Sequence, residues 1–199
     1  MPGIPLLMPD ANLSKAQLRS TLRYRRQALS ADQQHLAAQE VSGHIAELPG
    51  WATAQRIALY LPADGEIDTV PLSELGRAQH KQLFLPVIEA GDSLGFAEWL
   101  PDCPLCTNRF GIPEPPAQAN RCPAEDLDIV FLPLVGWDLQ GGRLGMGGGF
   151  YDRALAGIAG PLLVGLAHAN QQVDCIPREA WDISMDFIAS DAALHCCKE

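Results

Sequence analysis

Apolar positions along the chain recur at two different spacings, and the switches between them mark out elements. From 12 to 29 the leucines Leu18, Leu22 and Leu29 recur at helical spacing, and Asn12 or Ser14 can cap the start. On the adjoining stripe Lys15, Arg19, Arg23 and Arg26 follow at steps of four, four and three. Ser30-Ala-Asp-Gln33 has the form of a capping box and opens a second helix running to about residue 48. Residues 56–61 read as a strand, followed by the turn Pro62-Ala-Asp-Gly65, then 66–69 leading into a helix to about residue 79. Residues 82–88 read as a second strand and 93–99 as a third with antiparallel alternation. Little regular structure is expected over 101–123, which is rich in proline and cysteine. Beyond it, 128–137 reads as a buried strand, 150–159 as a helix and 161–167 as another buried strand, while 174–191 is acidic and mixed.

Strands alternating with helices predict an α/β fold, a layered and largely parallel sheet flanked by helices. Ligands of such sheets bind beyond the carboxyl ends of the strands. No repeat or linker divides the sequence, so one domain over 1–199 is expected, with an N-terminal helical part at about 12–48.

Composition narrows the function. With 199 residues, 47% of them hydrophobic, the chain can bury a full core, and no apolar run reaches the ~18 residues of a membrane span. The first ten residues lack a basic n-region, which leads to the expectation of a cytoplasmic protein that does not engage membranes. A net charge of −10 argues against nucleic-acid binding. Five of the fourteen basic residues nevertheless lie between Lys15 and Arg26, which favours a small anionic ligand. Cys103-Pro-Leu-Cys106 has knuckle spacing, but Cys122, Cys175, Cys196 and Cys197 supply no second pair at that spacing. The six cysteines are therefore expected to be incidental reduced thiols.

The candidate chemistry lies in the run 141–153, where six of the first nine residues are glycine and Tyr151-Asp152-Arg153 close the stretch. A segment so poor in side chains exposes backbone N–H groups to a phosphate chain, and a helix N-terminus after it adds to the attraction. It is neither a Walker A loop, since no Lys-Ser/Thr pair follows, nor a dinucleotide fingerprint, since Phe150 stands where the third glycine would fall. Taken singly, the neighbouring acids have plainer uses. Asp152 suits a helix dipole, Asp182 a solvated loop, Glu66 a cap on the helix after it, and Tyr151 a core wall. The loop would also suit a non-catalytic sensor of phosphorylated metabolites, or a small-molecule kinase or ligase with another acceptor.

In combination these residues resemble the 5-formyltetrahydrofolate cyclo-ligase family, also called 5,10-methenyltetrahydrofolate synthetases. The most specific element is Arg143-Leu-Gly-x-Gly-x-Gly-Phe-Tyr-Asp-Arg153. It is supported by Lys15-x-x-x-Arg19, by Tyr60 through Glu66-Ile-Asp-Thr69, by Arg109-Phe-Gly-Ile-Pro-Glu-Pro115, and by Gln171 with Asp182 eleven residues later. The resemblance implies a sheet of the kind shared with sugar-phosphate isomerases and CoA transferases. It also implies a monomeric, ATP- and Mg²⁺-dependent ligase that closes 5-formyltetrahydrofolate into 5,10-methenyltetrahydrofolate.

By position, Lys15 and Arg19 would meet the ATP phosphates. Arg143, Leu144, Gly145, Met146, Gly147, Gly148, Gly149, Phe150 and Tyr151 would form the ATP loop, with Met146 to Phe150 also facing the folate. Leu61 and Glu66 would line the folate site, and Asp152 and Asp182 would hold Mg²⁺. Arg143, Glu66 and Lys15 would carry the chemistry. The sequence departs from the family pattern at Met146 and Gly148, at Ala189-Ser190 where a Thr-Glu pair is frequent, and in the Cys103–Cys106 segment.

Overall fold

A computed structural model describes residues 13–109 and 111–197; Asn12, one of the two candidate caps, and Phe110 lie outside them. The first helix, α1 (Lys15–Gln27), starts at Ser14, whose side chain accepts from the Gln17 N–H while the Gln17 side chain accepts from the Ser14 N–H. The same reciprocal cap at Ser30 and Gln33 opens α2 (Ala31–Ala46). After β1 (Arg56–Ala58) and a long turn comes α3 (Val70–Ala78). The following strands are β2 (Gln82–Ile88), β3 (Leu94–Glu98), β4 (Cys106–Thr107), β5 (Pro113–Glu114), β6 (Arg121–Cys122) and β7 (Ile129–Pro133). The chain then forms the β8 (Gly136–Trp137) and β9 (Arg143–Leu144) hairpin, α4 (Phe150–Leu155), β10 (Leu162–Leu166), β11 (Phe187–Ala189) and β12 (Leu194–Cys196).

Eight strands form one sheet in the order β12-β11-β10-β7-β1-β2-β3-β6. Its five central members β11, β10, β7, β1 and β2 run parallel; β12 and β3 run against them, and the edge strand β6 pairs antiparallel with β3. The layered, largely parallel sheet expected from the sequence is the fold observed.

Alternate residues of each central strand enter different layers, as the two-residue pleat requires. Ile57, Leu83, Leu85, Ile129, Phe131 and Val164 pack with Val41, Ile45 and Leu72 of α2 and α3. Ala58, Phe84, Val130 and Leu132 face the other way, toward Trp137 and Leu155 of α4. A third cluster seats α1, where Leu18 and Leu22 pack on Val135, Leu144, Val173 and Ile176. Gly136 lets α1 come this close, because a Cβ there would overlap Leu22. No helix among the described residues is long and apolar enough to cross a membrane.

Several elements differ from the sequence expectation. The strand expected over 128–137 is two strands, because after Pro133 the chain leaves the sheet and pairs with β9 instead. The helix expected over 150–159 stops at Leu155, and Gly157 just beyond it adopts a left-handed φ of 71°. The acidic stretch 174–191 contains β11, and β12 follows it; both are too short to show a period in the sequence. The largest difference lies in the glycine run itself. Gly141 and Gly142 are buried in the hairpin turn, where the Gly142 N–H donates to Asp138 Oδ1 at 2.7 Å. Gly141 has φ 77°, and a Cβ on it would approach the Met185 carbonyl oxygen to 2.6 Å. These two glycines shape a turn, and the open loop is 145–149.

Asp138 organises that turn. Its buried carboxylate also accepts from the Gln140 N–H at 3.0 Å and the Ile176 N–H at 2.7 Å. Asp138→Ala removes the acceptor of three backbone donors and is expected to cost about 3 kcal/mol of folding stability, read as a lower urea midpoint with an unchanged slope.

Candidate active site

Helix α1 delivers the basic stripe, but the structure divides it. Lys15 Nζ pairs with Asp182 Oδ2 at 2.7 Å, and Arg19 Nε donates to the Gly145 carbonyl at 2.8 Å. Arg23 and Arg26 turn instead to Asp64, each reaching its Oδ2 at 2.7 Å. Four cations on one stripe are thus neutralised largely by carboxylates of the protein itself, which sequence spacing does not reveal.

Gly147 (φ 98°) and Gly149 (φ 65°) set the path of the 145–149 loop, and Gly149 is the residue from which α4 starts. Two of its carbonyls are held by guanidinium groups, Gly145 by Arg19 and Gly148 by Arg153 Nη1 at 2.9 Å. Arg153 also lies over the Phe150 ring, 5.2 Å from its centre. Met146, Gly147 and Gly148 are exposed, and Leu144 is buried in the cluster under α1. With six residues, α4 is too short to add much of a dipole, so attraction for an anion rests on the loop backbone and the cations around it.

Arg143, on β9, points into this region with its side chain only 6% exposed. Its Nη2 donates to Asp152 Oδ1 at 2.5 Å, and its guanidinium carbon lies 5.9 Å from the Tyr151 ring centre. Its buried Nε has no hydrogen-bond partner among the described residues, a donor left over for a further acceptor.

Asp152 and Asp182 are linked through the residue that follows Asp182: the Ile183 N–H donates to Asp152 Oδ1 at 3.3 Å. Burial pushes the Asp182 carboxyl up, but the hydrogen bonds from Lys15 and the Glu179 N–H prevail, and it titrates below the ordinary carboxylate range. Among the described residues each carboxylate takes its hydrogen bonds on a single oxygen, Oδ1 of Asp152 and Oδ2 of Asp182. No group of three or more metal-ligating side chains occurs among the described residues. Two hard carboxylate oxygens suit Mg²⁺, which takes one or two carboxylates and completes its shell with water and phosphate.

Glu66 lies across the sheet edge from the loop, in the turn after β1. Its Oε2 accepts from the Ala63 N–H at 3.0 Å, so it closes its own turn, while Asp68 caps α3 through the Val70 N–H at 3.0 Å. Burial raises the Glu66 pKa above the ordinary value, opposed by the Ala63 hydrogen bond and the Arg26 charge. Burial also raises Tyr60, just beyond β1, and Tyr151 on α4, and both lie close enough to Glu66 to feel its charge. Leu61 is half-buried against the core beneath them.

Sequence reasoning missed the scaffold under this turn. Arg26 is fully buried, with Nε on the Asp64 carbonyl at 2.7 Å and Nη1 on the Leu134 carbonyl at 3.3 Å. Gln171, noted only as part of a pattern, donates to the Leu134 and Val135 carbonyls at 2.8 Å each. Buried His168 places Nε2 3.1 Å from the Gly65 carbonyl. The available hints were the Asp-Gly turn and the position of Arg26 three residues after Arg23.

Of the departures from the family pattern, Met146 and Gly148 lie in the exposed loop itself, whereas the Ala189-Ser190 pair is structural. Ser190 is buried and its hydroxyl accepts from the Ala192 and Ala193 N–H groups. In the 109–115 string, Glu114 Oε2 accepts from Asn108 Nδ2 and the Ile88 N–H, tying the loop to β2.

A layered sheet whose carboxyl edge gathers paired cations and carboxylates defines an α/β enzyme, and comparison with known proteins identifies its family. The profile of the 5-formyltetrahydrofolate cyclo-ligase family matches residues 11–191. The Haemophilus influenzae 5-formyltetrahydrofolate cyclo-ligase is 43% identical over 176 residues, covering 86% of this chain and 94% of that protein. The Escherichia coli K12 5-formyltetrahydrofolate cyclo-ligase is 37% identical over 178 residues, covering 87% and 98%. The NMR structure of Aquifex aeolicus 5,10-methenyltetrahydrofolate synthetase aligns with a TM-score of 0.82 at 34% identity, covering 94% of each chain. The chain belongs to the 5-formyltetrahydrofolate cyclo-ligase family.

The Asp64 cluster makes a pH prediction. Its carboxyl is held well below the ordinary value, first by the Arg23 hydrogen bond, against a burial cost, with Arg26 and Gln27 adding to the lowering. A depressed folded pKa gives stability that is full above the unfolded value and is lost as pH falls toward the folded one. Asp64→Asn is therefore expected to cost about 2 kcal/mol at neutral pH. The gap between variant and wild type should narrow steadily as acid denaturation curves are taken below the carboxylate range.

Proposed function

We propose that this protein converts 5-formyltetrahydrofolate into 5,10-methenyltetrahydrofolate, with hydrolysis of ATP to ADP and phosphate and with Mg²⁺ as cofactor. One observation carries the reading: Arg19 holds the 145–149 loop, Lys15 and Arg143 pair with Asp182 and Asp152 beside it, and the buried Arg143 Nε has no acceptor among the described residues. That arrangement suits a nucleotide triphosphate, whose oxygens would accept from loop N–H groups, Arg143 Nε and the two α1 cations. The name shared by the relatives supplies the acceptor.

The formamide oxygen of the substrate is a poor leaving group. Transfer of the γ-phosphoryl group to it forms an O–P bond and releases ADP, turning that oxygen into a phosphate leaving group. N10 then attacks the activated formyl carbon, phosphate departs with the former formyl oxygen, and the N10 proton is lost. Arg143, Lys15 and Arg19 would hold the transferring group in line and spread its charge, which is most of what a protein contributes to such a step. Bound between Asp152 and Asp182, Mg²⁺ would neutralise phosphate charge and orient its oxygens. Glu66, across the edge, would bind the pterin ring and accept the N10 proton. Leu61 and the exposed part of the loop from Met146 to Phe150 would form the apolar wall for the folate.

The test is the absorbance of the methenyl product, followed with purified protein, 5-formyltetrahydrofolate and Mg-ATP, beside controls lacking each component. A rise that needs all of them is expected. Nucleotide binding without a rise would replace the folate acceptor with another, and absence of both would overturn the reading. Arg143→Ala is expected to lower kcat by about a hundredfold or more with far-ultraviolet circular dichroism unchanged. Near-normal turnover in that variant would remove Arg143 from the transfer step.

A further inference from the structure

Arg26 is the most deeply buried cation among the described residues, and nothing in the proposed chemistry uses it. Its guanidinium meets four groups. Two belong to Asp64, the carbonyl through Nε and Oδ2 through Nη2, both at 2.7 Å. The third is the Leu134 carbonyl at the end of β7, 3.3 Å from Nη1. The fourth is Glu66 Oε1, 3.9 Å from the same Nη1. One side chain thus ties α1, the turn after β1 and the exit of β7 together at the carboxyl edge.

Asp64 adopts a left-handed φ of 52°, uncommon for a non-glycine residue though tolerated best by Asn and Asp. Here Arg26 holds both its carbonyl and its carboxylate, and His168 Nε2 holds the next carbonyl, that of Gly65. Glu66 follows directly, with its side chain only 12% exposed.

We propose that Arg26 is a positioning residue for Glu66: through Asp64 it fixes the turn that aims the Glu66 carboxylate, and its Nη1 sets a positive charge 3.9 Å from that carboxylate. This role rests on the ligase reading, in which Glu66 takes up the N10 proton. The charges facing Glu66 are Arg26 from α1 and Asp64 from its own turn, with the neutral phenols Tyr60 just after β1 and Tyr151 from α4. Arg26 favours the ionised carboxylate and Asp64 opposes it, so loss of each should act in opposite directions.

The experiment compares Arg26→Gln and Asp64→Asn with wild type, in the full chain, by two readouts. Carbon NMR titration of the Glu66 carboxyl, assigned through Glu66→Gln, needs no turnover. The pH profile of kcat/KM for 5-formyltetrahydrofolate does. Arg26→Gln is expected to move the Glu66 titration and the acid limb to higher pH and to lower kcat/KM between about tenfold and a hundredfold. Asp64→Asn is expected to move both to lower pH. If Arg26→Gln does not fold, the direction seen in Asp64→Asn decides. Movement in the same direction in both variants, or no movement, overturns the proposal, because a loosened fold cannot give opposite signs. Absence of turnover in the wild type overturns the ligase reading and with it this role, whereas turnover with an unmoved Glu66 overturns the role alone.

Discussion

The parallel pairing of β1 with β7, Ile57 opposite Ile129 and Ala58 opposite Val130, is the constraint on which the rest of the site depends. Parallel neighbours release their chains at the same edge. The turn that carries Glu66 leaves β1 there, and the hairpin and glycine loop that carry Arg143 leave β7 beside it. β10 lies on the other side of β7 and adds His168 and Gln171 at that same edge. Groups that are about 80 residues apart in sequence come to one edge of the sheet because three adjacent strands point the same way.

Helix α1 closes the arrangement. Its apolar stripe docks on the hairpin through Leu18 and Leu22, which fixes where its basic stripe must lie. From that position Lys15 and Arg19 reach the glycine loop and Asp182, while Arg23 and Arg26 reach the turn before Glu66. One helix therefore serves both halves of the cleft. Its cations are held by carboxylates and carbonyls rather than left to repel one another, so the electrostatic strain that four cations on a stripe would suffer is absorbed within the fold.

The paired ions also bear on how an anionic substrate would enter. Lys15–Asp182 and Arg143–Asp152 are each a cation already satisfied by an acid. A phosphate chain arriving with Mg²⁺ would exchange these partners, the cations turning to phosphate and the carboxylates to metal, with little net loss of pairing. Such an exchange avoids stripping a bare buried charge of all its contacts, which would be expensive in a partly dry cleft.

The sequence by itself determined the two N-terminal helices, with the capping box at Ser30 and the first cap left between Asn12 and Ser14, the strand at Gln82–Ile88, the layered α/β class and the family signature from Arg143 to Arg153. These are local: a cap lies three residues from its partner, and a strand or motif is read from adjacent positions. Only the tertiary structure decided that 128–137 breaks into a strand and a hairpin, that Gly141 and Gly142 serve a buried turn, and that α4 ends after six residues. It alone divided the basic stripe between Asp182 and Asp64 and buried Arg26 completely. Each of those outcomes depends on a partner dozens of residues away, and the choice among 24 acidic residues for such a partner is made by strand order and packing rather than by any spacing along the chain.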